Sequence, residues 1–320
     1  MMARLRTCYC FFLAAEQKAR LNNFELQHPD YFVVIASRSG GAAADKINKE
    51  LGRQSVAFSQ LDLMDLHKVR VFAEDWLSKA DGGAYAPIQS LVLNAGLQFP
   101  GPLSITDEGL EKTFSIVVGH ALLFHLLSPC LADHARVIVT SSGTHDPEQK
   151  TGLPPPVYSS AEELAHPIPP SNIPGRQRYS TAKLCTIMWT YVLQRRLDVY
   201  AKDRHIVVHA FDPGLMPGTG LAREATAIER FAWNRVMPKA IGLMRVAISR
   251  NIWLPQESGA HQAWLAVSEE YFEAKREIKS SKLSYDEAKQ EDLWKWIISY
   301  CSRDPVERTR FEELKPAGYE

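Results

Sequence analysis

The feature of this sequence that most restricts its fold is a series of short apolar segments that turn polar or glycine-containing at their C-terminal ends. Five follow Tyr31, in the stretches YFVVIAS, SVAFSQLD, SLVLNAG, RVIVTSS and HIVVHAFD. A strand that is apolar throughout is buried on both faces, as in a parallel sheet covered by helices. The amphipathic segments between the strands, such as Asp62 to Lys79, are typical of helices. The alternation predicts an α/β fold, with a doubly wound, Rossmann-like, mostly parallel sheet flanked by helices and a C-terminal helical extension.

The chain of 320 residues is long enough for one large domain. We place this domain at residues 31–303, after an atypical N-terminal segment, 1–30, and before a tail, 304–320. Beyond Pro213 the sequence shows no further clear strand, so 213–303 is predicted to supply a substrate lid and the C-terminal helices.

Two local patterns refine this outline. The stretch 146–176 is rich in proline, including Pro154 to Pro156, which excludes a regular helix or a central strand and predicts a long loop. Further on, Ser284 and Glu287 have the spacing of a capping box, which predicts that the last helix begins at Ser284.

Charge and cysteine content restrict the partners. Basic and acidic residues number 37 each, so the zero net charge offers no electrostatic reason to expect nucleic acid or an anionic membrane surface. The five scattered cysteines lack metal-ligand spacing, which favours a reduced, cytoplasmic compartment and no metal. The apolar run Cys8 to Ala15 follows Arg4 and Arg6 as a signal sequence would, but it is too short to span a membrane, and a buried strand or helix is favoured.

The polar residues at the strand ends are the natural site candidates, because ligands of open parallel sheets bind outside the carboxyl ends of the strands. Any one of them is ordinary in a turn, but together they form a rim. They are Ser37, Arg38, Asp62, Asn94, Ala95, Gly96, Ser141, Ser142, Asp212, Pro213 and Gly214.

A sharper signal is the pentapeptide Tyr179-Ser180-Thr181-Ala182-Lys183, because positions i and i+4 share one face of a helix. A phenol has a pKa near 10 and exchanges protons poorly at neutral pH, whereas a neighbouring ammonium favours the phenolate. Lowering that pKa by about three units requires roughly 4 kcal/mol of differential stabilisation. A solvated helix face is the alternative interpretation of the same spacing.

These motifs resemble, in order and spacing, those of the short-chain dehydrogenase/reductase family. The resemblance rests on NAG at 94–96, the strand that ends at Ser142, YSTAK at 179–183 and DPG at 212–214. The stretch PGLMPGTGLAR and the sequence ESGA are similar to the branch that includes protochlorophyllide reductases. Retinol dehydrogenases share the long insertion before the tyrosine.

The resemblance implies roles for these positions. Tyr179 would protonate the substrate as the nicotinamide delivers hydride, Lys183 would lower the tyrosine pKa and hold the nicotinamide ribose, and Ser142 would orient the reacting group. The cofactor would be held on its adenosine side and at its nicotinamide by the residues of the rim and its neighbours: Ser37, Arg38, Asp62, Leu63, Asn94, Ala95, Gly96, Tyr179, Lys183, Pro213, Gly214 and Thr219.

The stretch YFVVIAS corresponds to the second strand of the family, and the residues at its end indicate which cofactor binds. An acidic residue there would accept hydrogen bonds from a free ribose hydroxyl and repel a phosphate. The sequence instead has Ser37 and Arg38, and a guanidinium pairs well with phosphate. NADP is therefore predicted over NAD, with a surface arginine in a turn as the alternative.

Two departures from the family pattern weaken this picture. No glycine precedes Gly40, so the phosphate-binding glycine loop is missing, although Thr7 to Leu13 could form the first strand and Ala14 to Leu26 a helix after it. NADPH binding is expected to be weaker than in a relative that has the loop. Between Phe114 and Gly119 the sequence also has one residue fewer than the family, and the family asparagine is missing. Deletion of one helical residue rotates the flanking helix faces by about 100° relative to each other.

Two functions remain open. The first is an NADP-dependent oxidoreductase that transfers hydride between NADPH and a small apolar carbonyl or conjugated alkene, in a protein without an integral membrane span and with homo-oligomerisation undecided. The second is a catalytically impaired dehydrogenase-like protein, either truncated or acting as a binding module. For the first function, an apolar substrate pocket could be formed by Leu215, Met216, Phe231, Trp233, Met237 and Met244. Plain helix packing is the alternative interpretation of these residues.

Overall fold

The core of the molecule is one parallel sheet. A computed structural model describes residues 8–12, 31–39, 41–168, 172–222, 224–266 and 278–315. The sheet has six strands in the order β3-β2-β1-β4-β5-β6, and every pair is parallel. The strands are β1 (Cys8–Phe12), β2 (Phe32–Ser37), β3 (Val56–Gln60), β4 (Ile88–Leu93), β5 (Leu131–Thr140) and β6 (Val207–Phe211). The predicted fold class is confirmed, and the strand order reverses between β1 and β4 as in doubly wound sheets.

The N-terminal segment supplies a central strand of this sheet. β1 pairs with β2 and with β4, its Cys8 lying opposite Phe32 and its Phe12 opposite Leu93. The strand predicted over Thr7 to Leu13 is thus confirmed at Cys8–Phe12. The helix predicted over 14–26 lies outside the described residues. Without β1, the edges of β2 and β4 that face it would be left unpaired, so residues 8–12 belong to the same domain as the strands that follow Tyr31, and the predicted domain start at residue 31 is too late.

Ten helices occur in the described part of the chain. They are α1 (Gly41–Leu51), α2 (Leu66–Asp81), α3 (Lys112–Leu127), α4 (Ala161–Ala165), α5 (Gly175–Tyr200), α6 (Ala227–Phe231), α7 (Met237–Ala247), α8 (Pro255–Leu265), α9 (Glu287–Cys301) and α10 (Pro305–Glu312).

The helices cover both faces of the sheet. Val33 and Ile35 of β2 belong to a core shared with α1 and α8, whereas Val34 and Ala36 belong to the larger core shared with α2, α3 and α5. Successive side chains of a strand point to opposite faces, so a strand between two helical layers must be apolar at every position. The continuous apolar runs of the sequence have this origin.

The helix α3 packs unusually close to the loop after β3. A side chain at Gly119 would bring its Cβ to 2.1 Å from the carbonyl oxygen of Leu63, so only glycine allows this approach. The segment Lys112–Cys130 has a mean hydropathy of 1.5 and is long and apolar enough to cross a membrane, but 83% of it is buried within the fold. The helix is continuous, so the residue missing before Gly119 causes no interruption.

Two helix starts differ from those predicted. The helix α2 begins at Leu66, because Asp65 caps it by accepting a hydrogen bond from Lys68 N, while Asp62 accepts one from Met64 N. The helix α9 begins at Glu287 and is capped by Asp286. The capping box predicted at Ser284 is wrong, because Ser284 is buried in a preceding 3₁₀ turn.

The proline-rich stretch is a loop for most of its length, but it contains the short helix α4 and is bound to α9. Asp292 of α9 accepts hydrogen bonds from the Tyr158 hydroxyl (2.6 Å) and from Ala161 N (2.8 Å). The middle of this connection is therefore held by a helix more than a hundred residues further along the sequence.

The segment predicted as a tail begins with α10. Phe311 is buried in the main core, and Glu307 forms an ion pair of 2.8 Å with Arg70 of α2. Both groups of that pair are largely shielded from solvent, so α10 closes the helical layer rather than extending away from it.

A buried histidine lies where α10 meets this layer. The ring of His125 stacks on Phe311 at 4.9 Å between centroids and lies edge-on to Trp294 at 5.3 Å. Neither ring nitrogen has a hydrogen-bond partner among the described residues. Burial lowers the pKa of His125 to about 3, so the ring is neutral in the folded protein at neutral pH.

We expect His125→Phe to make the protein more resistant to acid. The unfolded chain gains a proton at His125 below a pKa of about 6.5, whereas the folded protein does not, so each pH unit below 6.5 costs roughly 1.4 kcal/mol of stability. Urea unfolding between pH 7.5 and pH 5, in about half-unit steps, should show the variant gaining stability over the wild type by that amount per unit. Equal slopes for the two proteins would contradict the assignment.

Candidate active site

All predicted rim residues lie along the carboxyl edge of the sheet or in the loops that leave it. Ser37 ends β2 and Arg38 follows it, Asp62 and Leu63 follow β3, and Asn94 to Gly96 follow β4. Ser142 follows β5, and Pro213 and Gly214 follow β6. Thr219 lies further along the last of these loops, where its hydroxyl donates a hydrogen bond of 2.9 Å to Met216 O.

The helix α5 brings Tyr179 and Lys183 to this edge, and both side chains are buried, with 6% and 7% of their surface exposed. The Lys183 Nζ atom lies 5.8 Å from the centre of the Tyr179 ring and donates a hydrogen bond of 2.8 Å to Thr140 O at the end of β5. A Cβ at Gly96 would lie 3.2 Å from Nζ, so glycine leaves the β4 end open above the ammonium. The two residues share one helical face, as the spacing predicts.

Burial has the largest effect on the pKa of Tyr179. It raises that pKa above the ordinary value for tyrosine, and the Asp212 carboxylate adds to the increase, while a hydrogen bond with Ser142 opposes it. Burial also lowers the pKa of Lys183 to about 8, with Asp212 acting in the opposite direction. The expected lowering of the tyrosine pKa by Lys183 is thus not the dominant effect in this structure, where the ammonium is directed at Thr140 O.

Asp212 is a site residue that the sequence analysis placed on the rim without giving it a role. One carboxylate oxygen accepts a hydrogen bond of 3.0 Å from Gly214 N, and the other accepts one of 2.9 Å from Asn251 Nδ2. A Cβ at Gly143 would lie 3.0 Å from the second oxygen, so the turn after Ser142 also approaches it closely. Burial raises the pKa of Asp212, although these hydrogen bonds counteract the increase.

A second group of buried polar side chains joins the ends of β4 and β5. Thr140 Oγ1 donates to Asn94 Oδ1 at 2.8 Å, and Gln262 Nε2 of α8 lies 3.0 Å from Asn94 Oδ1 and 2.9 Å from Thr140 Oγ1. This network holds Asn94 in place and therefore the start of the NAG turn. Nothing in the local sequence of α8 indicates that Gln262 reaches the site.

His120 is a further polar residue near Lys183 that the sequence analysis did not single out. It lies on the face of α3 that borders a cavity of about 20 Å³, together with Gly96, Tyr179 and Lys183. Burial and the nearby Lys183 charge lower the pKa of His120 to about 3, and its Nε2 has no hydrogen-bond partner among the described residues. A neutral imidazole therefore lies on the helix from which the family asparagine is missing.

The residues considered for a substrate lid do not converge on one pocket. Phe231 is 64% exposed and Leu215 is also at the surface, while Met237 and Met244 pack against Ile241 in a small core of their own. Trp233 instead donates its indole N–H to Thr219 O at 2.7 Å. Plain helix packing accounts for the two methionines.

An apolar cavity of about 390 Å³ occurs elsewhere, between α3, α5 and the proline-rich segment. Its lining includes Phe114, Leu164, Ile168 and Ala182, and Arg178 and Glu111 form a buried ion pair of 3.1 Å at its wall. The cavity borders the α5 face that carries Arg178 and Ala182, next to the face that carries Tyr179.

Comparison with known proteins supports a relationship to dehydrogenases. No family model matches the chain. The zebrafish (Danio rerio) polyprenol dehydrogenase is 29% identical over 289 residues, which cover 83% of this chain and 78% of that protein. The WW domain-containing oxidoreductase of the same fish is 34% identical over 197 residues, or 60% of this chain and 44% of that protein. The chain thus matches less than half of the latter protein.

Solved structures agree with the fold. An uncharacterised protein of Mycobacterium paratuberculosis superposes with a TM-score of 0.62 at 20% identity, over 97% of this chain and 94% of its own. A short-chain dehydrogenase/reductase from Serratia marcescens gives 0.55 at 15% identity, over 82% and 92%. The angucycline C-6 ketoreductase LanV, crystallised with NADP, gives 0.54 at 17% identity, over 84% and 93%.

We expect the Lys183 ammonium to titrate near pH 8, because burial disfavours its charged form. The charge is present below that pH and is lost as the pH rises through it. In Asp212→Asn the carboxylate that favours the charge is gone, so the pKa of Lys183 should fall further. Carbon-13 NMR of isotope-labelled lysine side chains would measure both values, and the resonance missing from Lys183→Arg would identify the signal. A wild-type value near 10 would contradict this environment.

Proposed function

We propose that the chain is a member of the short-chain dehydrogenase/reductase family and acts as an NADP-dependent oxidoreductase with Tyr179 as proton donor. It would transfer hydride between NADPH and an apolar carbonyl or conjugated alkene, in the cytoplasm. The observation that carries the proposal is the burial of Tyr179 and Lys183, with Ser142 hydrogen-bonded to the tyrosine, at the carboxyl edge of the sheet.

The groups along this edge suit an NADP molecule. The Arg38 side chain is exposed, with no ion pair to another described residue, so its guanidinium is free to bind the 2′-phosphate. Gly96 leaves open the space above Lys183, which would hold the nicotinamide ribose. The residues that follow β3, β4 and β6 would hold the rest: Asp62, Leu63, Asn94, Ala95, Pro213, Gly214 and Thr219. The bound cofactor would supply or accept the hydride.

The protein's own contribution to the reaction is to hold and release one proton. Because burial raises the pKa of Tyr179, its hydroxyl stays protonated at neutral pH and is ready to donate to a substrate oxygen or carbon. Ser142 would orient that group through its hydroxyl. The phenolate left behind would be stabilised by the Ser142 hydroxyl and by the Lys183 charge, which lies 5.8 Å from the ring centre.

Two observations support an apolar substrate. The cavity of about 390 Å³ beside α5 presents mainly apolar surface. The zebrafish relative is named for a polyprenol, which is itself an apolar alcohol. Both are consistent with the apolar character of the substrate expected from the sequence.

The second candidate is a catalytically impaired protein that acts as a binding module. Two family features that are missing from the sequence favour it. No glycine occurs before Gly40, and no asparagine lies between Phe114 and Gly119. Calorimetric titration of the full chain with NADPH decides between the two. Micromolar or tighter binding supports the oxidoreductase, and no detectable binding supports the module.

Tyr179→Phe should abolish turnover and leave the fold intact, since the ring still packs and only the proton donor is lost. General acid catalysis contributes roughly a hundred- to ten-thousand-fold, so a fall of that size is expected. Steady-state NADPH oxidation with a panel of apolar ketones and enones measures it, and thermal unfolding provides the control for folding. A variant that turns over at nearly the wild-type rate would contradict the role of Tyr179.

Arg38→Ala should weaken NADPH binding about tenfold or more and leave NADH binding nearly unchanged, because only NADPH carries the phosphate that the guanidinium can pair with. Calorimetric titration with each cofactor measures both affinities. Lys49→Ala, which removes an exposed cation from α1, is the matched control and should change neither affinity. Equal losses of NADPH and NADH binding in Arg38→Ala would show that Arg38 does not select the cofactor.

A further inference from the structure

The segment from α6 to the start of α8 exposes many large apolar side chains. Six of them are at least half exposed, with Val246 at 88% and Ile228 at 83%, and Leu254 is 41% exposed. Large exposed apolar patches are unusual on soluble monomers and mark sites of interaction. The side chains are Ile228, Phe231, Val236, Leu243, Val246, Ile248 and Leu254. Together with the exposed cations Arg230, Arg235, Lys239 and Arg250, we call them the outer surface of α6–α7.

The helix α7 is apolar on two opposite sides. Ile241 and Met244 face inward and pack with Ile252, which anchors the helix to the protein. Leu243 and Val246 lie on the other side, 72% and 88% exposed, and Lys239 shares that side because residues i, i+4 and i+7 of a helix lie on one face. The outward side chains are therefore not needed for packing within the described chain.

The same segment is basic, although the whole chain is neutral. Residues 223–250 contain six basic and two acidic residues, a net charge of +4, against zero for all 320 residues. Glu229 is bound to Arg176 of α5, and Arg245 to Glu257 of α8. Four exposed cations remain that form no ion pair with another described residue: Arg230, Arg235, Lys239 and Arg250.

From this combination we propose that the outer surface of α6–α7 docks the protein on an anionic lipid bilayer. Apolar side chains interspersed with lysine and arginine are the pattern by which helices lie in the interface of a membrane, with the apolar groups inserted and the cations near the lipid phosphates. An acidic protein would match the charges, but it would not require apolar side chains as exposed as Leu243 and Val246. A bilayer matches both features.

The docked surface lies beside the rim of the candidate active site. Trp233 between α6 and α7 is hydrogen-bonded to Thr219 O, and Leu215 N donates to Asn251 O at 2.9 Å on the other side of the segment. A bilayer held by α6–α7 would thus adjoin the loop after β6. The docking itself requires neither cofactor nor substrate, so its test is independent of the function proposed above.

Flotation of the full chain with vesicles tests the proposal. The wild type should float with vesicles of phosphatidylcholine and phosphatidylserine, less with phosphatidylcholine alone, and less as salt is added. The double variant Leu243→Ser with Val246→Ser should lower the partition coefficient about tenfold or more, because it removes two inserted apolar side chains. A separate double variant, Arg235→Glu with Lys239→Glu, should lower it about tenfold or more, since each lost cation alone accounts for about fivefold. The matched control is Val199→Ser with Val306→Ser, which alters residues 71% and 75% exposed on α5 and α10 and should float like the wild type.

Three results would overturn the proposal. The first is a wild type that remains with the soluble fraction for both vesicle compositions, and the second is a control pair that loses as much binding as the outer-surface pairs. The third is a dimer of the wild type, detected by light scattering, that the Leu243 and Val246 substitutions convert to monomer while neither protein floats. In that case a second copy of the chain covers the surface. Thermal unfolding of each variant confirms that the exposed substitutions leave the fold intact.

Discussion

The site depends on a buried hydrogen bond between Lys183 Nζ and the carbonyl of Thr140. An ammonium removed from water is costly unless it is paired, and here the last residue of β5 supplies the acceptor at the point where the strand leaves the sheet. The Asn94, Thr140 and Gln262 network holds that strand end in place, and Gly96 leaves room for the ammonium below the neighbouring turn. The position of the ammonium near Tyr179, and with it the proton chemistry, follows from how β4 and β5 end.

The C-terminal helices support this arrangement from outside the sheet. Asp292 of α9 binds the proline-rich segment just ahead of α5, and the ion pair of Arg70 with Glu307 ties α10 to α2. The pair is largely buried, so loss of Glu307 would leave the Arg70 charge without its ion-pair partner. The segment that leads into the helix of Tyr179 is thus held by a residue more than a hundred positions later in the chain.

A group of exposed cations lies on a surface next to the candidate active site. A net charge of zero argues against an anionic membrane when the chain is treated as a whole. The fold nevertheless gathers four cations and seven large apolar side chains on α6–α7 and the turn after it, next to the loop that follows β6. A substrate dissolved in a bilayer would be close to that loop, which is consistent with an apolar substrate and with the exposure of Phe231.

The parallel sheet, the strand ends that form the rim and the shared helical face of Tyr179 and Lys183 could all be predicted from the amino-acid sequence alone. These depend on alternation along a strand and on the i, i+4 spacing of a helix, which are local properties. Three features follow from the folded arrangement instead: burial outweighs Lys183 in setting the Tyr179 pKa, and Phe231 faces outward. The third is the contact of Asn94 with Gln262, 168 residues away. Burial and such contacts arise from residues distant along the chain, which no local pattern encodes.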